Sequence, residues 1–83
     1  MATQSDATTL DVRALVPRDR HPLIFSKLDA LKPGEAVLLV NDHDPKPLRY
    51  QLMAEREGLF DWAPEQEGPD EWIIRITRLG AAQ

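Results

Sequence analysis

The feature that most constrains this chain is the run Ala36-Val37-Leu38-Leu39-Val40, followed at once by Asn41-Asp42-His43-Asp44-Pro45-Lys46-Pro47. An apolar run of that length between turn residues reads as a buried strand. Asp44 before Pro45 reads as an N-cap with proline at the first helical position. Pro47 is compatible with this, because the first four backbone N–H groups of a helix lack intrahelical partners. The pattern calls for a buried strand feeding directly into a helix, with two carboxylates and an imidazole on the turn between them. Exposed backbone donors lie beside that turn, which makes it the first place to look for function.

The rest of the chain supplies partners for that unit. Residues 1–8 are small and polar and read as an arm. Thr9 to Arg13 alternates as a first strand, with Leu10 and Val12 facing inward. After a loop from Ala14 to Arg20, His21-Pro22 reads as a second strand-to-helix turn, with Pro22 opening the helix. Ile24, Phe25, Leu28 and Leu31 then follow at helical spacing, and Lys32-Pro33-Gly34 ends that helix. The second strand covers Glu35 to Asn41. The second helix is expected from Pro45 to Glu57, with Leu48 and Leu52 on one face and Gly58 as its C-terminal cap. Phe60 to Trp62 reads as a short third strand, and Glu67 to Asp70 as a turn. Trp72, Ile74 and Ile76 face inward from a fourth strand, and both tryptophans read as core residues. Residues 80–83 form a tail.

This order is β-α-β-α-β-β, an α+β two-layer sandwich in a single domain over residues 9–79. Right-handed crossovers put both helices on one face of a four-stranded sheet. If the first two strands are parallel neighbours, their C-terminal ends meet at one edge. His21, His43, Asp42 and Asp44 are then expected at that edge.

Composition removes several function classes. A chain of 83 residues buries only about 60% of its unfolded surface, which allows a thin core and a shallow pocket. The absence of cysteine excludes disulfides, thiolate ligands and persulfide chemistry on the chain itself. Fourteen acidic against ten basic residues give a net charge of −4, which argues against nucleic acid as the main partner. No segment approaches the roughly 18 apolar residues of a membrane span. Met1 to Asp6 lacks the basic start and apolar centre of a signal peptide. The expectation is a cytoplasmic protein without a membrane or nucleic-acid partner.

Two segments carry a resemblance: Arg20-His21-Pro22-Leu23-Ile24-Phe25, and Asn41-Asp42-His43-Asp44-Pro45-Lys46-Pro47-Leu48-Arg49-Tyr50-Gln51. With the Leu10-Asp11-Val12-Arg13 strand and a hairpin ending in Trp72-Ile73-Ile74-Arg75-Ile76, they resemble the TusA/SirA-like sulfur carriers. The chain is most similar to a bacterial domain-of-unknown-function family on that fold, one that also occurs joined to hemerythrin-like domains. The resemblance implies the sheet order 1-2-4-3. Sulfur carriers hold their reactive cysteine just before the proline that opens helix one, and here the matching residue is His21. Sulfur relay therefore does not transfer to this chain. The residues read as a binding or accessory module acting through the edge built by His21 and His43 with their aspartates. The resemblance implies a link to redox, metal or nitrogen-oxide physiology, with a hemerythrin-like or redox protein as partner.

Four readings of particular residues follow. His21 and His43 with Asp42 would suit a divalent transition metal, while Asp44 is taken as the helix cap. Arg13 and Arg20 near two helix N-termini would suit an anion, or salt bridges to the neighbouring acids. An enzymatic alternative uses His21 with Asp42 for proton transfer, although no nucleophile–base pair stands out. Finally, if Ala36, Leu38 and Val40 face the helices, then Val37, Leu39 and Ile73 form an apolar patch on the open side of the sheet. Such a patch would serve self-association or a protein partner.

Overall fold

The computed structural model describes residues 7–80, ordered as β1 (Thr8–Asp11), α1 (Pro17–Asp29), β2 (Ala36–Asn41), α2 (Lys46–Glu55), β3 (Phe60–Glu67) and β4 (Trp72–Arg78). The sheet order is β1-β2-β4-β3. β1 runs parallel to β2, while β4 is antiparallel to both β2 and β3, so the sheet is mixed. The expected α+β architecture, element order and strand order are those observed. Residues 1–6 and 81–83 of the expected arm and tail lie outside the described residues.

One cluster forms the core. Ile24 and Leu28 of α1 and Leu48 and Leu52 of α2 sit four residues apart on their helices, and all are almost fully buried. That spacing stacks each pair on one helix face. They pack on Val37 and Leu39 of β2 and on Ile74 and Ile76 of β4. The register sets Leu39 opposite Ile74 and Val37 opposite Ile76, so these four side chains share one face of the sheet.

This register overturns the expected phase of β2. Val37 is 3% exposed and Leu39 is 0% exposed, both in the helix-facing core. They cannot belong to an open-face patch. Leu38 and Val40 point the other way, paired with Arg75 and Ile73. The apolar residues on the open face are therefore Leu38, Val40 and Ile73, with Arg75 and Thr77 of β4 beside them.

The start of α1 also differs from expectation. The helix opens at Pro17, not Pro22, so His21 and Pro22 lie inside it. Val16 is the N-cap residue, with extended backbone angles. That conformation is what a residue before proline prefers, and proline suits the first helical position. A third difference is the length of β3, which continues through Pro64 to Glu67. Proline is tolerated there because β3 is an edge strand, and the register is irregular between Pro64 and Gln66.

Candidate functional site

Because β1 and β2 are parallel, the chain leaves both at the same edge of the sheet and turns there into α1 and α2. The turn of the β3–β4 hairpin reaches the same edge, since Trp72 pairs with both Asn41 and Glu67. Arg20, in the second turn of α1, ties the two strand-to-helix loops together. Its Nε donates to the Leu15 carbonyl at 3.0 Å, and its Nη2 to the Arg13 carbonyl at 3.3 Å. Its Nη1 donates to Asn41 Oδ1 and to Asp42 Oδ1, both at 2.9 Å. The residue is only 7% exposed. A buried guanidinium is tolerable when its donors are matched by acceptors, as they are here.

Arg13 is equally occupied. It donates to Asp11 through Nε at 2.9 Å and Nη2 at 2.7 Å, and to Glu71 through Nη1 at 2.7 Å. Of the two expectations for these arginines, an anion site or salt bridges to the neighbouring acids, the salt bridges are the ones formed. Both residues spend their donors on the protein's own oxygens. In the structure they tie loops and strands together, and no open anion site is formed by the pair.

The two histidines take separate partners. Gln51 Nε2 donates to Glu55 Oε2 at 3.2 Å, which turns the Gln51 carbonyl oxygen toward His21 Nδ1 at 2.9 Å. An amide oxygen only accepts, so His21 Nδ1 carries the proton. His43, in the loop before α2, has its Nδ1 2.8 Å from Asp42 Oδ1. Asp42 in turn is held by Arg20. The pairing of His21 with Asp42 that an enzymatic reading needs is therefore not made. Among the described residues no three His, Asp or Glu side chains form a group that could hold a metal ion. The expected metal donors do not fit one site, because the carboxylate is taken by a guanidinium and His21 faces Gln51. Asp44 does not cap α2 either. That helix begins at Lys46 with Pro45 in the N-cap position, and no side chain caps it.

The electrostatics of this edge are local. The Arg20 guanidinium first, and the His43 ring second, hold the Asp42 carboxyl well below the usual carboxylate range. The Arg13 side chain holds Asp11 at about 2, against an ordinary value of 3.8. Away from this edge, Arg56 lowers Asp29 in the same direction. In each case the folded carboxyl binds its proton less tightly than the unfolded one. The unfolded chain therefore takes up more protons as pH falls, and stability rises with pH. Stability should be fully present above about pH 5 and decline through the window from about pH 4 to pH 2. Urea midpoints measured across that range test this, and Asp42→Asn should make the decline shallower. A midpoint that does not move between pH 6 and pH 2.5 contradicts it.

One cleft at this edge leaves its charged groups uncommitted. It measures about 280 Å³ and lies between the start of α2 and the helix-facing side of the β3–β4 hairpin. Trp62, Pro64, Trp72 and Ile74 line it from the hairpin, and Pro45, Lys46 and Arg49 from α2 and its cap. Asp44 and Glu67 complete the rim. Lys46 and Arg49 sit three residues apart, so they share one side of α2. Both indoles are half-buried and line the cleft, and Trp62 also packs against the core cluster as expected. A second groove of about 260 Å³, between α1 and α2, is lined by His21, Pro22, Phe25, Gln51 and Glu55.

Residues 9–78 match a family described as Uncharacterized conserved protein (DUF2249). The chain belongs to that family. No curated protein and no solved structure matches it. Among the described residues of this DUF2249 domain, no helix is long and apolar enough to cross a membrane.

Sequence reasoning about the DUF2249 domain missed the cleft for an identifiable reason. Trp62 and Trp72 are ten positions apart and become neighbours of Lys46 only through the sheet order. The i, i+3 spacing of Lys46 and Arg49 was visible, but the side of α2 on which they lie was not.

Proposed function

We propose that this domain is a small binding or accessory module, not an enzyme, and that it acts through the edge at which α1 and α2 begin. Its contact surface is the cleft between Lys46 and Arg49 on one side and Trp62 and Trp72 on the other. The observation that carries this reading is the contrast in how the edge uses its charges. Arg13, Arg20, Asp11, Asp42, His43 and Glu71 pair with one another. Asp44, Lys46, Arg49 and Glu67 form no ion pair among the described residues and all border the cleft. A concave surface with aromatic walls and a few free polar groups is the usual form of a ligand site.

The resemblance to TusA/SirA-like carriers supports a role as an intracellular adaptor without sulfur transfer, since the chain has no cysteine. The joining to hemerythrin-like domains in the bacterial domain-of-unknown-function family that the chain resembles makes such a domain, or another redox protein, the partner we expect. The test is a fragment screen on the full chain, read from backbone and indole N–H resonances. Fragments are expected to move the Trp62 and Trp72 indoles together with the Lys46 and Arg49 amides. Perturbations confined to the His21 groove or the His43 loop, or none at all, would overturn the reading.

A further inference from the structure

We infer that the cleft takes a small zwitterion, an ammonium group and a carboxylate carried on one short apolar frame; this rests on the binding-module reading above. The cleft carries charges of both signs, with Asp44 beside the start of α2. Lys46 and Arg49 stand on α2 at its first turns, where the helix dipole adds positive potential. Glu67 stands on the other side, as the last residue of β3. Between them lie the two indoles, and a cation is attracted to the face of an indole more strongly than to any other aromatic side chain. A purely anionic ligand would leave Glu67 and Asp44 repelling it, and a purely cationic one would leave Lys46 and Arg49. A ligand bearing both charges meets a complementary group at each end.

The indole wall is also held in place. Gly68 has φ of +78°, and a Cβ at that position would stand 3.0 Å from Trp72 Cζ2. The turn backbone therefore passes close to the Trp72 ring, and only glycine fits both that approach and that φ. A ring fixed before binding loses little freedom on binding. The volume of about 280 Å³ corresponds to on the order of nine waters at ~30 Å³ each, which suits a metabolite of amino-acid or betaine size.

The test uses the full chain and defined probes: glycine betaine, its homologues with two to four methylenes between the charges, and choline and acetate as the separate halves. Binding is read from tryptophan fluorescence and from the two indole N–H resonances. One spacing is expected to bind at least tenfold more tightly than either half, with Kd on the order of 1 mM or below. Arg49 is exposed, so Arg49→Gln should keep the fold and the choline response while weakening the zwitterion about tenfold. Glu67→Gln should do the converse, preserving acetate and weakening both choline and the zwitterion. If choline or acetate alone binds as tightly as every zwitterion, or no probe moves either indole, the inference is wrong. Should unrelated fragments still map to the cleft in that case, the binding-module reading survives; should they not, both fall.

Discussion

Arg20→Met is expected to destabilise the domain by about 3 kcal/mol, because it removes a charged donor set from a buried site and leaves its acceptors behind. The part-buried Leu15 and Arg13 carbonyls, which the Arg20 side chain satisfies, would lose those hydrogen bonds. Asn41, 4% exposed, would keep its bond from the Asp42 N–H but lose the one from Arg20. For a domain of this size each kcal/mol moves the melting temperature by roughly 4–8 °C, so a drop of about 15 °C is expected. Arg20→Lys should recover less than half of it, since an ammonium on a flexible stem cannot serve two loops and a carboxylate at once. Arg13→Gln is the control: its ion pairs are solvent-exposed and its melting temperature should stay much nearer that of the parent chain. A melting temperature for Arg20→Met within about 3 °C of the parent, less than one kcal/mol, would show that the clamp is dispensable.

The second large effect separates the two faces of β2. Val37→Glu places a carboxylate among Ile24, Leu52 and the other core residues, where it has no partner. An unpaired buried charge costs about 4 kcal/mol or more. That approaches the whole stability of a small domain, about 5 kcal/mol. The variant is therefore expected to be largely unfolded at 25 °C, with lost near-ultraviolet circular dichroism and collapsed amide dispersion. Leu38→Glu, one residue along, lands on the open face directly opposite Arg75. It should fold, since an opposite-charge cross-strand pair is mildly favourable. The reverse outcome, with Leu38→Glu unfolded and Val37→Glu folded, would mean that the register of β2 against β4 is wrong.

Those two residues show where sequence reading stops. The amphipathic stripes of the helices, the alternation of Trp72, Ile74 and Ile76, and the proline and glycine punctuation were enough for the element order and the fold class. Each of those signals is local, with a period that one segment carries by itself. The phase of β2 was not legible, because all five residues from Ala36 to Val40 are apolar and nothing alternates. A shift of one residue exchanges every side chain between faces, and only pairing with β4 fixes it. The helix start was misread for a related reason: Pro17 and Pro22 both fit a first helical position. In the helix that begins at Pro17, Arg20 reaches both loops.

The candidate site divides in the same way. Asp42 and His43 were visible as residue types on the turn after β2, whereas His21 lies inside α1. The parallel pairing of β1 and β2 brings that turn to the same edge as the turn after β1. Which side chain each would meet depended on distances between segments that are far apart in sequence. Arg20 reaches Asp42 across 22 positions, and His21 reaches Gln51 across 30. The sequence by itself determined the elements, their order and the chemistry available at the edge, because those follow from local periodicity and residue type. The tertiary structure alone decided that the arginines are occupied, that the histidines are apart, and that Lys46 and Arg49 face two tryptophans. Strand register and sheet order are long-range hydrogen-bond choices, and no single segment encodes them.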